Sequence, residues 1–402
     1  MKRMYALLGL GLLMLPLLTG CWNRKELNEL AVVLALGIDS SGGQYEVTVQ
    51  VVDSSQMAHN RSSSRSPVTI YTDKSPTLFE ALRKMTTQSP RQMYLAHLRF
   101  LFFDEAAAKK GIKPALDFLL RDYQVRPDFH LAVIRGSSTR QVLELLTPTE
   151  ALPVMELYKS LKVSEKAWAP TSTVTVQDLL QKFTKSGVEP VLTGLTLRGD
   201  IAEGKQTSNL MQSSVSARYQ YTGIGVFRDD RLLGWLNDAD SKAYNYITNH
   251  ITSTVAAIEC PGSDGYFVAE VDRAKVKVIP RLVNGNPQIR IAATVEANVA
   301  EVGCVNVDLT QEQSLLDLQQ AARRQLKQVL ATGVRNAQTL YAADIYGFGE
   351  AFHRTYPKLW HRWKDHWDER FKQLPVDIQI DYRLRRIGEI INPYQQQSGE
   401  KE

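Results

Sequence analysis

Hydrophobic and polar positions follow two periods along this chain, and the switches between them predict its elements. Residues 30–38 are continuously apolar, Asp39-Ser40-Ser41-Gly42-Gly43 can turn, and 45–51 alternates, which predicts a β-hairpin. Ser75-Pro76 supplies an N-cap and a first helical residue for a helix reaching Thr87, with Leu78, Phe79, Leu82 and Met85 along one side. A strand over 94–103, helices over 105–110 and 113–122, and a strand over 129–134 come next. Ser138 and Gln141 stand at capping-box spacing and open a helix through Leu146.

Further on, 221–227 and 232–236 flank Arg228-Asp229-Asp230-Arg231 as a second hairpin. A third pairs 268–283 with 289–302 around Asn284-Gly285, the dipeptide of a type I′ turn. Leu315, Leu318, Ala322, Leu326, Val329, Leu330, Ala337 and Leu340 recur at helical spacing, so a long amphipathic helix is expected near the C-terminus. Trp360, Trp363, Trp367 and Phe371 form one stripe at i, i+3, i+7 and i+11, which reads as core packing. Residues 376–385 then alternate, predicting a strand with one buried and one wet face.

The mixture gives an α+β, multidomain fold with antiparallel or mixed sheets and packed helices. Hairpins dominate the reading. The polar, aperiodic stretch 201–216 is the linker expected between an N-terminal α+β domain (21–200) and a C-terminal α+β region (217–395) divisible into lobes 217–283 and 284–395. The Ser-rich stretch 54–67 reads as a loop, and no repeat of solenoid or propeller period occurs.

The N-terminus changes the picture most. Lys2 and Arg3 precede an apolar run over 6–18, which as a helix covers about 20 Å of a hydrocarbon core about 30 Å thick. That is the layout of a secretory signal peptide. Its end, Leu18-Thr19-Gly20-Cys21, resembles the bacterial lipobox, which implies cleavage between Gly20 and Cys21 and a diacylglyceryl group on the Cys21 sulfur. Two or more acyl chains hold a protein at a membrane durably, at about 0.8 kcal/mol per buried methylene. The net charge of +5 falls to +3 once Lys2 and Arg3 leave with residues 1–20, so charge argues for neither nucleic acid nor strong headgroup attraction.

With Cys21 acylated, Cys260 and Cys304 remain, each ending a predicted strand. A disulfide and two buried free thiols both fit.

Chemistry-bearing motifs are sparse. Gly199-x-x-x-x-Gly204-Lys205-Gln206 lacks the Ser or Thr of a phosphate loop. Gly347-x-Gly349-x-x-Phe352 lacks the third glycine of a dinucleotide fingerprint and reads as a helix C-terminus and turn. His361, Asp365, His366 and Glu369 sit among Lys358, Arg362, Lys364, Arg370 and Lys372, so they read as a solvated face instead of a metal site. Gly-x-Ser-x-Gly, His-Glu-x-x-His and Cys-x-x-Cys are absent, and the sequence nominates no catalytic residue, metal or cofactor beyond the lipid on Cys21.

Several stretches taken together resemble the Ger(x)C family, the lipoprotein C subunits of spore-germinant receptors. They are Cys21-Trp22-Asn23-Arg24-Lys25-Glu26-Leu27-Asn28, Gly37-Ile38-Asp39, His97-Leu98-Arg99-Phe100 with Gly111-Ile112, and Leu119-Leu120-Arg121-Asp122. Gly223-Ile224-Gly225-Val226-Phe227, Leu233-Gly234-Trp235-Leu236, Asp344-Ile345-Tyr346-Gly347-Phe348-Gly349 and the segment 360–367 complete the set. The resemblance implies an ectodomain on the outer face of the spore inner membrane, tethered at Cys21 and working with a polytopic A subunit and a transporter-like B subunit. It implies no catalytic activity.

Two alternatives stand beside it. One is a lipoprotein that captures a small solute for a transporter, a class built from parallel βαβ units, against which the hairpins argue. The other is an envelope hydrolase, for which no carboxylate is nominated.

Overall fold

The computed structural model describes residues 26–53, 66–305 and 307–387. The expected leader 1–20, Cys21, most of the expected loop 54–67 and positions 388–395 of the expected C-terminal region lie outside the described residues. A 3-10 turn, Leu27–Glu29, leads into β1 (Leu30–Ser41), which folds back as β2 (Gln44–Val52) through Gly42 and Gly43, both at positive φ. This is the first expected hairpin. β3 (Val68–Ser75) adds antiparallel outside β2. Because Ser75 is the buried last residue of that strand, the helix α1 (Leu78–Lys84) is capped not by Ser75 but by Thr77, whose hydroxyl accepts the Glu80 amide.

The stretch expected to be one strand over 94–103 is two. β4 (Gln92–Tyr94) pairs in parallel with residues 30–32 of β1, and β5 (Phe100–Asp104) in parallel with residues 35–38. The break coincides with a register shift in β1 between Val33 and Ala35. Helices α2 (Glu105–Lys110) and α3 (Lys113–Arg121) follow where expected, then β6 (His130–Ile134) beside β5. Ser138 caps α4 (Thr139–Glu144) with the full reciprocal box to Gln141. α5 (Pro153–Ala167), α6 (Val176–Thr184) and β7 (Val191–Gly199) come next, and β7 pairs in parallel with β6.

Four neighbouring strands, β1, β5, β6 and β7, are therefore parallel, with helical crossovers between β5 and β6 and between β6 and β7. This corrects the hairpin-dominated reading. β5 and β6 are short and almost wholly buried, so they show an apolar run and no alternation, the signature of covered parallel strands.

The polar stretch 201–216 folds into α7 (Ile201–Gly204) and α8 (Ser208–Met211). Fully buried Asn209 organises it, donating to the Leu146 carbonyl at 2.8 Å and accepting the Ser216 amide at 2.8 Å. On its far side β8 (Ala217–Arg228) pairs antiparallel with β7, and β9 (Arg231–Trp235) closes the second hairpin. The first sheet thus runs β3-β2-β1-β5-β6-β7-β8-β9, with β4 beside the start of β1, and carries across residues 201–216 without interruption.

α9 (Asp238–Ile247) connects to the second sheet, β10 (Thr254–Glu259), β11 (Tyr266–Val283), β12 (Asn286–Val302) and, after the helices, β13 (Val376–Ile387), in that order. Asn284 (φ 51°) and Gly285 (φ 78°) make the expected left-handed turn between β11 and β12. The long helix α10 (Glu312–Asn336) buries Leu318, Ala322, Leu326 and Leu330 against this sheet and ends in a π-helical turn, Ala337–Tyr341.

The tryptophan stripe spans three short pieces instead of one helix: α11 (Phe348–Thr355) precedes α12 (Pro357–Trp363), a 3-10 turn, and α13 (Trp367–Lys372). Trp360, Trp363, Trp367 and Phe371 are all buried, as core packing requires. One buried cluster joins Val191, Ile224 and Val226 of the first sheet to Tyr244, Phe348 and Trp360 of the second half.

Candidate functional site at the junction of the two halves

The segments that stand out in the sequence of the second half converge where the two sheets meet. After the π-turn, Ala342 at φ 51° stops the helix, and Asp344 follows, 1% exposed. Its carboxylate accepts the Phe348 amide at 3.0 Å, the Gly349 amide at 2.7 Å and the indole N–H of Trp367 at 2.9 Å. Two of these donors are free amides of the first turn of α11, so the carboxylate also meets the positive end of that helix. Gly347, at φ 74°, is the N-cap of α11, so the glycine pair opens a helix and does not end one as expected. Burial raises the Asp344 carboxyl to about 6, against the amides and the indole that favour its charged form.

Gly187 and Gly349 lie in direct backbone contact. A Cβ on Gly187 would come within 2.6 Å of the Gly349 carbonyl carbon and of the Trp360 ring, and one on Gly349 within 2.7 Å of the Gly187 Cα. Hydrogen bonds stitch the same approach: Glu350 N–H donates to the Gly187 carbonyl at 3.0 Å, and Glu189 N–H to the Asp344 carbonyl at 2.8 Å. Residues 187–189 enter β7, so the centre of the first sheet is fastened directly to the Asp344 turn.

Around this seam runs a charged rim. Arg228 donates to the carbonyls of Tyr341 at 2.8 Å and Ala342 at 3.2 Å and stands 3.7 Å from Asp368. The Tyr341 hydroxyl donates to the Trp235 carbonyl at 2.7 Å while its ring lies over Gly234, where a Cβ would approach to 2.7 Å. Glu189 accepts the Asp229 amide at 2.7 Å. Burial lifts the Glu189 carboxyl to about 7; the Asp229 amide and Arg228 oppose the rise, and Asp368 and Asp229 add to it. A cavity of about 240 Å³ opens here, lined by Lys182, Lys185, Glu189, Asp229, Lys364 and Asp368. The arrangement provides packing, fixed orientation and mixed charge. It shows no nucleophile paired with a base.

Cys260 and Cys304 are joined by a disulfide, Cα to Cα 5.6 Å, tying the end of β10 to the segment after β12. Lys205 forms an ion pair with Glu144, so the phosphate-loop resemblance ends in a surface contact. His361, Asp365, His366 and Glu369 are exposed, and among the described residues no group of three or more His, Cys, Asp or Glu is gathered as metal ligands. Cys21 and the Gly20–Cys21 bond lie outside the described residues. Gly187, Glu189 and Asp368 were not singled out by sequence, and Arg228 was read only as a turn residue; the Ser186-Gly187 pair before the apolar run of β7 is the one local signal that could have marked the place.

Comparison with known proteins gives a consistent result. The family model described as the spore germination protein N-terminal domain matches residues 23–197, and that of the spore germination B3/GerAC-like C-terminal domain matches residues 222–388. The chain is 27% identical to spore germination protein KC of Bacillus subtilis (strain 168), over 99% of both chains. It is 22% identical to spore germination protein B3 of the same organism, over 94% of this chain and 96% of that one. It is 20% identical to spore germination protein GerQC of Bacillus cereus, over 92% and 96%. The crystal structure of the GerBC protein superposes with a TM-score of 0.56 at 16% identity, covering 87% of this chain and 97% of that one, which shows a shared fold.

Proposed function

Because this chain belongs to the family of spore germination proteins defined by those N-terminal and B3/GerAC-like C-terminal domains, we propose that it is the lipid-anchored C subunit of a spore-germinant receptor. In this reading it assembles with integral A and B subunits at the outer face of the spore inner membrane, and so supports nutrient-triggered germination. The observation that carries the proposal is the placement of the two domain matches, 23–197 and 222–388, directly behind the Leu18-Thr19-Gly20-Cys21 sequence.

The physics is consistent with an accessory role. Among the described residues no helix is long and apolar enough to cross a membrane, so the acyl group on Cys21 would supply the attachment. A tether of a few residues raises the local concentration of the ectodomain beside integral partners, and individually weak contacts then suffice. The junction built on Asp344 would hold both halves in one orientation for those partners.

Replacing Cys21 by Ala tests the reading. Expected are loss of the protein from spore membranes and a failure of the germination response, together with co-purification of the wild-type chain with A and B subunits. Normally germinating Cys21→Ala spores with a soluble, unlocalised product would overturn it. Solute capture remains the competing function, since the parallel core removes the topological argument against it. Saturable thermal stabilisation by amino acids or sugars at low concentration would favour that alternative.

A further inference from the structure

A cleft of about 540 Å³ opens on the N-terminal half between α1, β4 and the C-terminal end of α3. Its floor is apolar: Leu82, Met93 and Leu95 are buried there. Its rim carries two aromatic side chains that face water, Phe79 at 49% exposure and Tyr123 at 83%. The Phe79 ring lies 5.7 Å from that of Phe118, and the Arg83 guanidinium sits 4.8 Å above the Phe79 ring. Arg121, paired with Asp117 at 2.8 Å one helical turn away, and Asp122 complete an edge of mixed charge in which two guanidiniums flank the aromatic rim.

The position of this cleft in the topology is the informative part. Gln92, which lines it, is the parallel partner of Leu30, the first residue of β1. α3 links β5 to the parallel strand β6, so it runs back against the strands, and Arg121 and Tyr123 emerge at the end where β6 starts. That is also the end where β1 starts. Leu30 lies nine positions after Cys21, a reach of at most about 30 Å, so the cleft opens at the pole from which the chain leaves toward its anchor.

We propose that the cleft bounded by Phe79, Tyr123, Arg83 and Arg121 is a membrane-docking face that seats on the lipid surface to which Cys21 is attached. The inference rests on the anchoring reading given above. Aromatic rings beside arginine suit the boundary between headgroups and acyl chains, where the ring enters the apolar edge and the guanidinium stays with phosphate. A single tether leaves orientation free. A second contact at the same pole would fix which way the ectodomain points.

The test uses the mature acylated chain in vesicles of equal parts phosphatidylethanolamine and phosphatidylglycerol. An environment-sensitive fluorophore is placed at Tyr123→Cys or, at the opposite end of β1, at Gln44→Cys; both positions are exposed, so neither substitution threatens folding. Brominated lipids should quench the probe at 123 at least twofold more than the probe at 44, and Phe79→Ser should reduce that difference. Equal quenching at both positions in protein that sediments with the vesicles would overturn docking while leaving the anchor intact. Protein that fails to sediment would refute the anchor, and docking with it. A probe at 123 shielded in spore membranes but not in lipid vesicles would assign the cleft to an integral protein and overturn the lipid proposal.

Discussion

The indole N–H of Trp367 points at the Asp344 carboxylate from 2.9 Å, which makes a buried acid the common acceptor of a helix start and a residue twenty-three positions later. Together with the Phe348 and Gly349 amides, the indole makes three donors converge on one side chain. The tryptophan stripe is thereby fixed to the turn that meets the first sheet.

Asp344→Ala would strand those three donors at a buried position. At about 1–3 kcal/mol for each unsatisfied buried group, the loss should be about 3 kcal/mol or more. Trp367→Phe keeps most of the ring and removes only one donor, so it should cost about 1–2 kcal/mol, part of it from packing. Urea unfolding midpoints check both, and an Asp344→Ala midpoint equal to wild type would contradict this account.

Gly187→Ala should be more damaging than a glycine substitution in an open turn. At Gly187 the added methyl meets backbone and the Trp360 ring at 2.6 Å, and φ is +83°. Gly42, at φ +55°, has nothing within 4 Å of the same methyl. Gly42→Ala should cost about 1 kcal/mol through backbone conformation alone, whereas Gly187→Ala should cost at least twice as much, because two chain segments must separate. Thermal melts of the two variants provide the comparison.

The raised carboxyls at the junction set a pH dependence with a definite sign. Between the ordinary carboxylate value near 4 and the folded values of about 6 for Asp344 and about 7 for Glu189, the native state holds protons that the unfolded chain has released. Their contribution to stability is present in full below pH 4 and is lost as pH rises through 6 and 7. His130 and His250, lowered chiefly by burial, act in the opposite sense, so the total curve is mixed. The difference between wild type and Glu189→Gln isolates one group. The variant should lose less stability than wild type between pH 5 and pH 8, measured by urea titration at each pH.

The disulfide encloses a sequence separation of 44 residues. A loop of that length restricts the unfolded chain by about 4 kcal/mol in the chain-entropy treatment. Replacing Cys260 and Cys304 together by Ser should lower the urea midpoint accordingly, and in the oxidised protein neither Cys260 nor Cys304 should react as a thiol after denaturation. Two titratable thiols would contradict the bridge.

Local signals made much of the architecture legible. Asn284-Gly285, the Ser138 and Gln141 pair, and the alternation over 376–385 each specify a short-range geometry, and each element forms as the pattern requires. Parallel pairing was hidden because β5 and β6 are covered on both faces and carry no period, and their partners lie tens of residues away. The junction was only half visible. Asp344, Gly347 and Gly349 stood out as a motif, but their role depends on Gly187 and Trp367, and no periodicity links those positions. The polar run 201–216 looked aperiodic because its order comes from one buried amide, Asn209, which holds its C-terminal end at Ser216 and ties it to the distant Leu146 carbonyl.

The passage of β8 and β9 into the first sheet, with a hydrophobic cluster continuous from Val191 to Trp360, bears on how force travels through this molecule. Two beads on a string would absorb a push at one end by bending. Here a displacement applied at the pole where β1 starts would be handed through the hydrogen-bonded sheet and the shared core to the far lobe, so the two halves would move together as a strut.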